Sequence, residues 1–295
     1  MAPASSVSCL ARTPARDIAL GTVGATVKIG ERTFALAWRW IDAANVDSVI
    51  IGLDDRGELV ETPVAVPYAD PHVLGAGPDG LLVVSVPLHG TGTLLRIALQ
   101  HDGTLVPGTA VPLPEVAWGW PLALVADGKT ATLRHALASP DQTIDREVSI
   151  SIDLASAKVT GVQPAPPEPE SRAETGFPPA AYPQTVRHAY GDGVIEVAWD
   201  GGHGMAHSPT DTETRRYFEH WFFNAGQVRM LRDTGHGWTA SDVVPLALHD
   251  ATGTFDTGYQ PVILRNGLHA TILMAAGHPP ASLQPYRVPC AARSR

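Results

Sequence analysis

The sequence predicts an all-β chain assembled from repeated units of about four short strands. Three observations carry this. Its apolar runs are short and alternate with a period of two, the segments between them hold hairpin signals, and strand starts recur at a nearly constant interval. The run "TFALAWRW", Thr33 to Trp40, puts Phe34, Leu36, Trp38 and Trp40 on one face and small or polar residues on the other, the pattern of a half-buried strand. Comparable runs are "LLVVSV" from Leu81, "TATLRHAL" from Thr130, "VIEVAW" from Val194 and "HATILM" from His269. Turn signals stand between them at Asp54-Asp55-Arg56-Gly57, His101-Asp102-Gly103, Asn224-Ala225-Gly226 and Arg265-Asn266-Gly267.

The first three strand starts, at 33, 81 and 130, lie 48 and 49 residues apart. The hairpin "GLDDRGELVETPVAVP" (Gly52 to Pro67) returns as "ALQHDGTLVPGTAVPLP" (Ala98 to Pro114), with Gly57 and Gly103 46 residues apart. "SIDLASAKVTGV" reads as a degenerate copy, and "WFFNAGQVRML" as the same hairpin in a longer frame. Later intervals stretch to 64 and 75, which marks two insertions: the Pro-rich segment 163–183 and a His-rich loop, 200–214.

Four-stranded units repeated around an axis leave no open sheet edge. On its period and its D-x-x-G-x-L hairpin the chain resembles the β-propeller superfamily, of the secreted bacterial type, over roughly residues 20–290. The repeat frame holds neither a Trp-Asp dipeptide nor the kelch double glycine, so the resemblance reaches no subfamily. It implies five blades from five core strands, with a sixth if residues 236–260 form a unit of their own. Residues 1–19 are then an N-terminal segment with Cys9, 20–290 a single propeller domain and 291–295 a tail. A closed ring puts the first and last strands in one blade, and so implies a Cys9–Cys290 disulfide clasping it; two unpaired thiols are the other reading. The competing fold is a pair of β-sandwiches split at the Pro-rich segment, which leaves the interval of 48 unexplained.

Composition narrows the partners. A chain of 295 residues, 44% hydrophobic and 17% charged, buries a full core. Its formal charge of −9 and its singly scattered cations argue against a nucleic-acid partner. No apolar run approaches the roughly 20 residues of a membrane-spanning helix. The start "MAPASSVSCLARTPARD" holds no apolar signal core; with two cysteines near the two ends, the expectation is an exported protein, secreted or periplasmic, whose signal peptide is not part of this chain.

Four units place an aromatic shortly before a proline at the approach to the innermost strand. Tyr68 with Pro71, Trp118 and Trp120 with Pro121, Tyr182 with Pro183, and Tyr259 with Pro261 share this arrangement. In a propeller these approaches ring the mouth of the central channel. The rings are therefore candidates to stack on a small-molecule or glycan ligand, or on a protein partner; wedges between blades are the alternative. The same connections carry Asp70, Glu115 and Asp256. Paired carboxylates are what glycoside hydrolysis requires, so these are the catalytic candidates if the chain is a glycoside hydrolase or lyase. His203, His207 and His236 are candidate zinc or copper ligands, although "DGGHGMAH" lacks the helix that H-x-x-x-H needs, and the main expectation is no cofactor. There is no G-x-S-x-G elbow, P-loop or dinucleotide fingerprint.

Overall fold

The computed structural model describes residues 11–12, 20–40, 46–64, 72–87, 91–138, 144–167, 176–190, 193–207, 217–246, 262–267, 269–276 and 282–288, and every regular element among them is a strand. The described path opens with β1 (Ala11–Arg12) and then forms successive antiparallel meanders. Unit one is β2 (Leu20–Ile29), β3 (Arg32–Trp40), β4 (Val46–Leu53) and β5 (Leu59–Val64). Unit two is β6 (His72–Gly77), β7 (Gly80–Ser85) and β8 (Gly92–Leu99), with a fourth strand broken into β9 (Leu105–Pro107) and β10 (Val111–Leu113). Unit three is β11 (Gly119–Asp127), β12 (Thr130–Ala138), β13 (Ile144–Asp153) and β14 (Lys158–Pro164). Unit four is β15 (Gln184–Tyr190), β16 (Gly193–His207), β17 (Tyr217–Asp233) and β18 (Trp238–Leu246). Unit five is β19 (Val262–Asn266), β20 (His269–Ala276) and β21 (Ser282–Val288), and β1 returns to complete it by pairing with β21.

The five runs singled out by their periodicity are the second strands of these units. The described positions of β3, β7, β16 and β20 are buried on both faces, not one, whereas β12 alternates, with Thr130 and Thr132 exposed and Ala131 and Leu133 buried. In β3, Phe34 and Leu36 pack with Leu81, Val83, Leu95 and Ile97 of unit two, while Ala35 and Ala37 pack with Val262, Leu264 and Leu273 of unit five. Unit two repeats the division: Leu81 and Val83 turn to unit one, Leu82 and Val84 to the Leu133 and Ile150 side of unit three. The half-buried strand expected at Thr33 to Trp40 is thus corrected, because its alanines are small only to admit the neighbouring unit.

Backbone bridges reinforce these contacts. Arg32 pairs with Asn266, joining units one and five into one sheet, and the Asn266 side-chain amide donates to the Leu53 carbonyl (3.2 Å). Ala76 pairs in parallel with Val125, joining units two and three. There the inner strands run so close that a Cβ on Gly75 would meet the Leu124 carbonyl oxygen at 2.5 Å. Arg265 of unit five donates to the Ala189 carbonyl of unit four (2.9 Å). A division into two sandwiches at the Pro-rich segment does not fit, since one sheet holds strands from both sides of that segment.

Two local readings change. Asn224-Ala225-Gly226 lies inside β17; Asp200 pairs with Ala225 and Gly201 with Phe223, so Asn224 is the extra residue of a β-bulge and the Gly-rich signal marks a kink, not a turn. Residues 200–207, expected in a loop, continue β16 opposite Tyr217 to Ala225. The turn of that unit is Thr234 to Gly237, closed by the Thr234 amide on the Gly237 carbonyl (3.0 Å), and residues 238–246 are its fourth strand and not part of a sixth unit.

Leu36 is 2% exposed at the contact of units one and two. Leu36→Ala is expected to cost about 2–5 kcal/mol, read as a lowered urea midpoint with the unfolding curve still a single transition.

Candidate functional site

The aromatic approach to the third unit is the best-defined piece of the expected mouth. Trp118 and Trp120 flank Gly119, the first residue of β11, and both are half-buried. Their rings lie 5.5 Å apart at 52°, forming an open corner, and Trp118 also packs on the apolar cluster between units two and three. Gly119 makes the close approach possible: a Cβ there would sit 2.1 Å from the Ala136 carbonyl oxygen and 2.9 Å from His135 Nε2. Just beyond, a register shift between Pro121 and Ala123 leaves Leu122 exposed.

His135 fixes this corner from within. It is wholly buried, and its Nε2 lies 2.9 Å from the Ala117 carbonyl oxygen. A carbonyl only accepts, so the proton sits on Nε2, and Nδ1 is left bare with no partner among the described residues. Burial holds the imidazole below its ordinary pKa in spite of the opposing pull of the Ala117 and Trp120 backbone carbonyls. The ring is therefore a neutral peg holding the backbone that carries Trp118.

Glu115 is exposed in a turn closed by the Val116 amide on the Leu113 carbonyl (3.0 Å), and Tyr182 is half-buried just before β15. Tyr68, Asp70, Asp256, Tyr259, Cys9 and Cys290 lie outside the described residues. Glu115 is thus the one catalytic candidate with a described environment.

The histidines are dispersed by the strand geometry. His203 pairs with Trp221 and His207 with Tyr217; their side chains lie outside the described set, and four residues of strand separate their backbones by about 13 Å. His236 is exposed at the tip of the β17–β18 turn, the opposite end of the same strand, on the order of 40 Å away. One zinc ion needs its imidazole nitrogens within about 4 Å of one another, and the backbone does not bring these three together. Among the described residues no three His, Cys, Asp or Glu side chains form a metal-binding group.

A second feature was not visible in the letters. Arg187, Glu196 and Arg229 stand directly opposite one another across β15, β16 and β17. Glu196 is fully buried and takes hydrogen bonds from Arg187 Nε (2.9 Å) and Arg229 Nε (2.6 Å). Arg229 also donates to the carbonyls of Pro178 and Pro179, both at 3.0 Å, and Arg187 lies over the Phe177 ring, which packs on Trp238. This charge ladder pins the end of the Pro-rich segment to unit four and so sets the position of Tyr182.

His135 gives a pH signature. Its folded pKa lies below the usual 6.5, so as pH falls past that value the unfolded chain takes up a proton that the folded chain resists, and stability declines. His188 acts in the same sense, through burial and then the charges of Arg265 and Lys28. Changing His135→Gln, which keeps a donor for Ala117, is expected to flatten the fall in urea midpoint between about pH 7 and 5, by up to about 1.4 kcal/mol per pH unit.

No protein-family model and no curated protein sequence matches the chain. Two solved structures of a Pyrococcus horikoshii acylaminoacyl peptidase show a distant likeness. The uncomplexed form has 11% identity and a TM-score of 0.34, with 91% of this chain and 40% of that one covered; an orthorhombic crystal form has 10% identity and a TM-score of 0.33, with 89% and 38% covered. The chain spans about two fifths of those peptidase chains.

Proposed function

We propose that the protein is a five-bladed β-propeller acting outside the cytoplasm as a binding module, whose ligand stacks on the aromatic residues at one mouth of the ring. The observation that carries this reading is the Trp118–Trp120 corner, half-exposed at the approach to an innermost strand and fixed by His135. Two tilted indole faces offer large apolar area with little rotamer entropy to lose, which suits the flat faces of a sugar or a similar small molecule. The five four-stranded meanders, with β1 completing the last, support the blade count.

Titration with a panel of oligosaccharides, followed by intrinsic tryptophan fluorescence, tests the site. At least one glycan is expected to quench or shift the emission. Trp120→Ala should weaken that binding about tenfold or more while the thermal midpoint stays within a few degrees. Unfolding of Trp120→Ala would make the ring a wedge, and a folded variant that binds normally would dismiss the platform.

The export reading rests on the cysteines. Ala11 pairs with Arg287 and Arg12 with Tyr286, so Cys9 lies two residues before, and Cys290 three residues beyond, a paired position. A bridge there would staple the unit that joins the two ends of the chain. Intact mass measured before and after reduction under denaturing conditions is expected to rise by two hydrogens, and reduction should lower the thermal midpoint.

A further inference from the structure

At the far end of β11 from Trp118, some 25–30 Å along the strand, a cavity of about 340 Å³ opens between units two and three. Its origin is a local shortage of side chains. Leu82 of unit two packs into the shared core and is paired with Arg96, but the next pair toward the turn is Gly80 with Ala98, and the opposing turns of unit three present Gly128 and Ala155. Four small residues leave the two units standing apart where the strands end.

The walls are rigid. Gly80 has φ +152°, and a Cβ there would meet the Ile97 carbonyl oxygen at 2.2 Å, so the position admits no larger residue. The Leu99 amide donates to the Asp79 carbonyl (3.0 Å), and the Leu154 amide to the Lys129 carbonyl (2.8 Å), which locks the two turns of unit three together. Asp153 caps the second of these through the Ser156 amide (2.8 Å) and hydroxyl (2.6 Å).

The lining pairs apolar surface with positive charge. Leu82 and Leu154 contribute hydrocarbon, Arg96 comes from unit two and Lys129 from unit three, and Asp79 is the one acidic residue of the lining. No salt bridge engages the Arg96 or Lys129 side chain among the described residues, and the Lys129 charge also acts on the nearby Asp153 carboxylate. The volume lies in the range of small-molecule sites. We infer that this cleft binds a medium-chain aliphatic carboxylate, the alkyl chain lying between the small residues and the carboxylate held by Arg96 and Lys129. Such a ligand would bridge two units and stabilise their contact.

Calorimetric titration of the intact chain with octanoate tests this, with octylamine as the chain of opposite charge. Octanoate is expected to bind and to raise the thermal midpoint, and octylamine to do neither. Ala155→Leu, which fills the cleft from an exposed turn, should abolish binding; the double change Arg96→Gln with Lys129→Gln should weaken it about tenfold or more. Absence of octanoate binding, equal binding of octylamine, or undiminished binding by a folded Ala155→Leu variant would each overturn the assignment. Trp120→Ala should bind octanoate normally, so this site and the aromatic mouth succeed or fail separately.

Discussion

The structure depends on the burial of both faces of its strands. Along β3, β4, β7 and β8, even and odd positions both carry apolar side chains, and they are claimed by different neighbours: Phe34, Leu36 and Ile50 by unit two, Ala35, Ala37 and Ile51 by unit five. A four-stranded meander taken alone would expose two hydrophobic faces, and neither would have a partner. Units one and two are therefore stable only between others, while unit three leaves one face open, with Leu122, Val125 and Val162 exposed. Volume is traded across each contact, with alanines of β3 facing the larger Val262, Leu264 and Leu273.

Unit four departs from this pattern in an instructive way. One face of its sheet carries the Arg187–Glu196–Arg229 ladder, while His188, on the opposite face by strand alternation, feels the charges of Arg265 and Lys28. A buried carboxylate shared by two guanidinium groups demands full satisfaction of its hydrogen bonds, and the Pro178 and Pro179 carbonyls add two acceptors for Arg229. The end of the Pro-rich segment, at Phe177 to Pro179, thereby covers the sheet. Prolines suit this task, because they lack the amide that would otherwise need a partner while their carbonyls remain free to accept.

Much of the fold was legible because the second strand of a unit is buried on both sides in β3, β7, β16 and β20, and on one side in β12. Such strands form the least interrupted apolar runs, so their starts at 33, 81, 130, 194 and 269 mark the repeat even where insertions stretch it. Signals of conformation were more ambiguous than signals of burial. Glycines at 201, 202, 204 and 226 suggested loop and turn, yet they sit in β16 and β17, where the bulge at Asn224 absorbs the mismatch. The tryptophan corner was legible from its position before a proline. His135 was not, since one histidine in "TLRHAL" has no pattern until the pairing with β11 puts it under Ala117. Glu196 was likewise hidden within "VIEVAW", because its two arginine partners are assigned only by the register of three strands.

The pairing of β1 with β21 has a consequence for how the protein is made. Residues 11 and 12 leave the ribosome long before their partners, 286 and 287. Until β21 is made, β1 has no strand to pair with and the fifth unit stays open. Closure of so long a loop is a slow, late event, and until it happens an unfinished chain presents a strand edge that a second nascent copy on the same messenger can occupy.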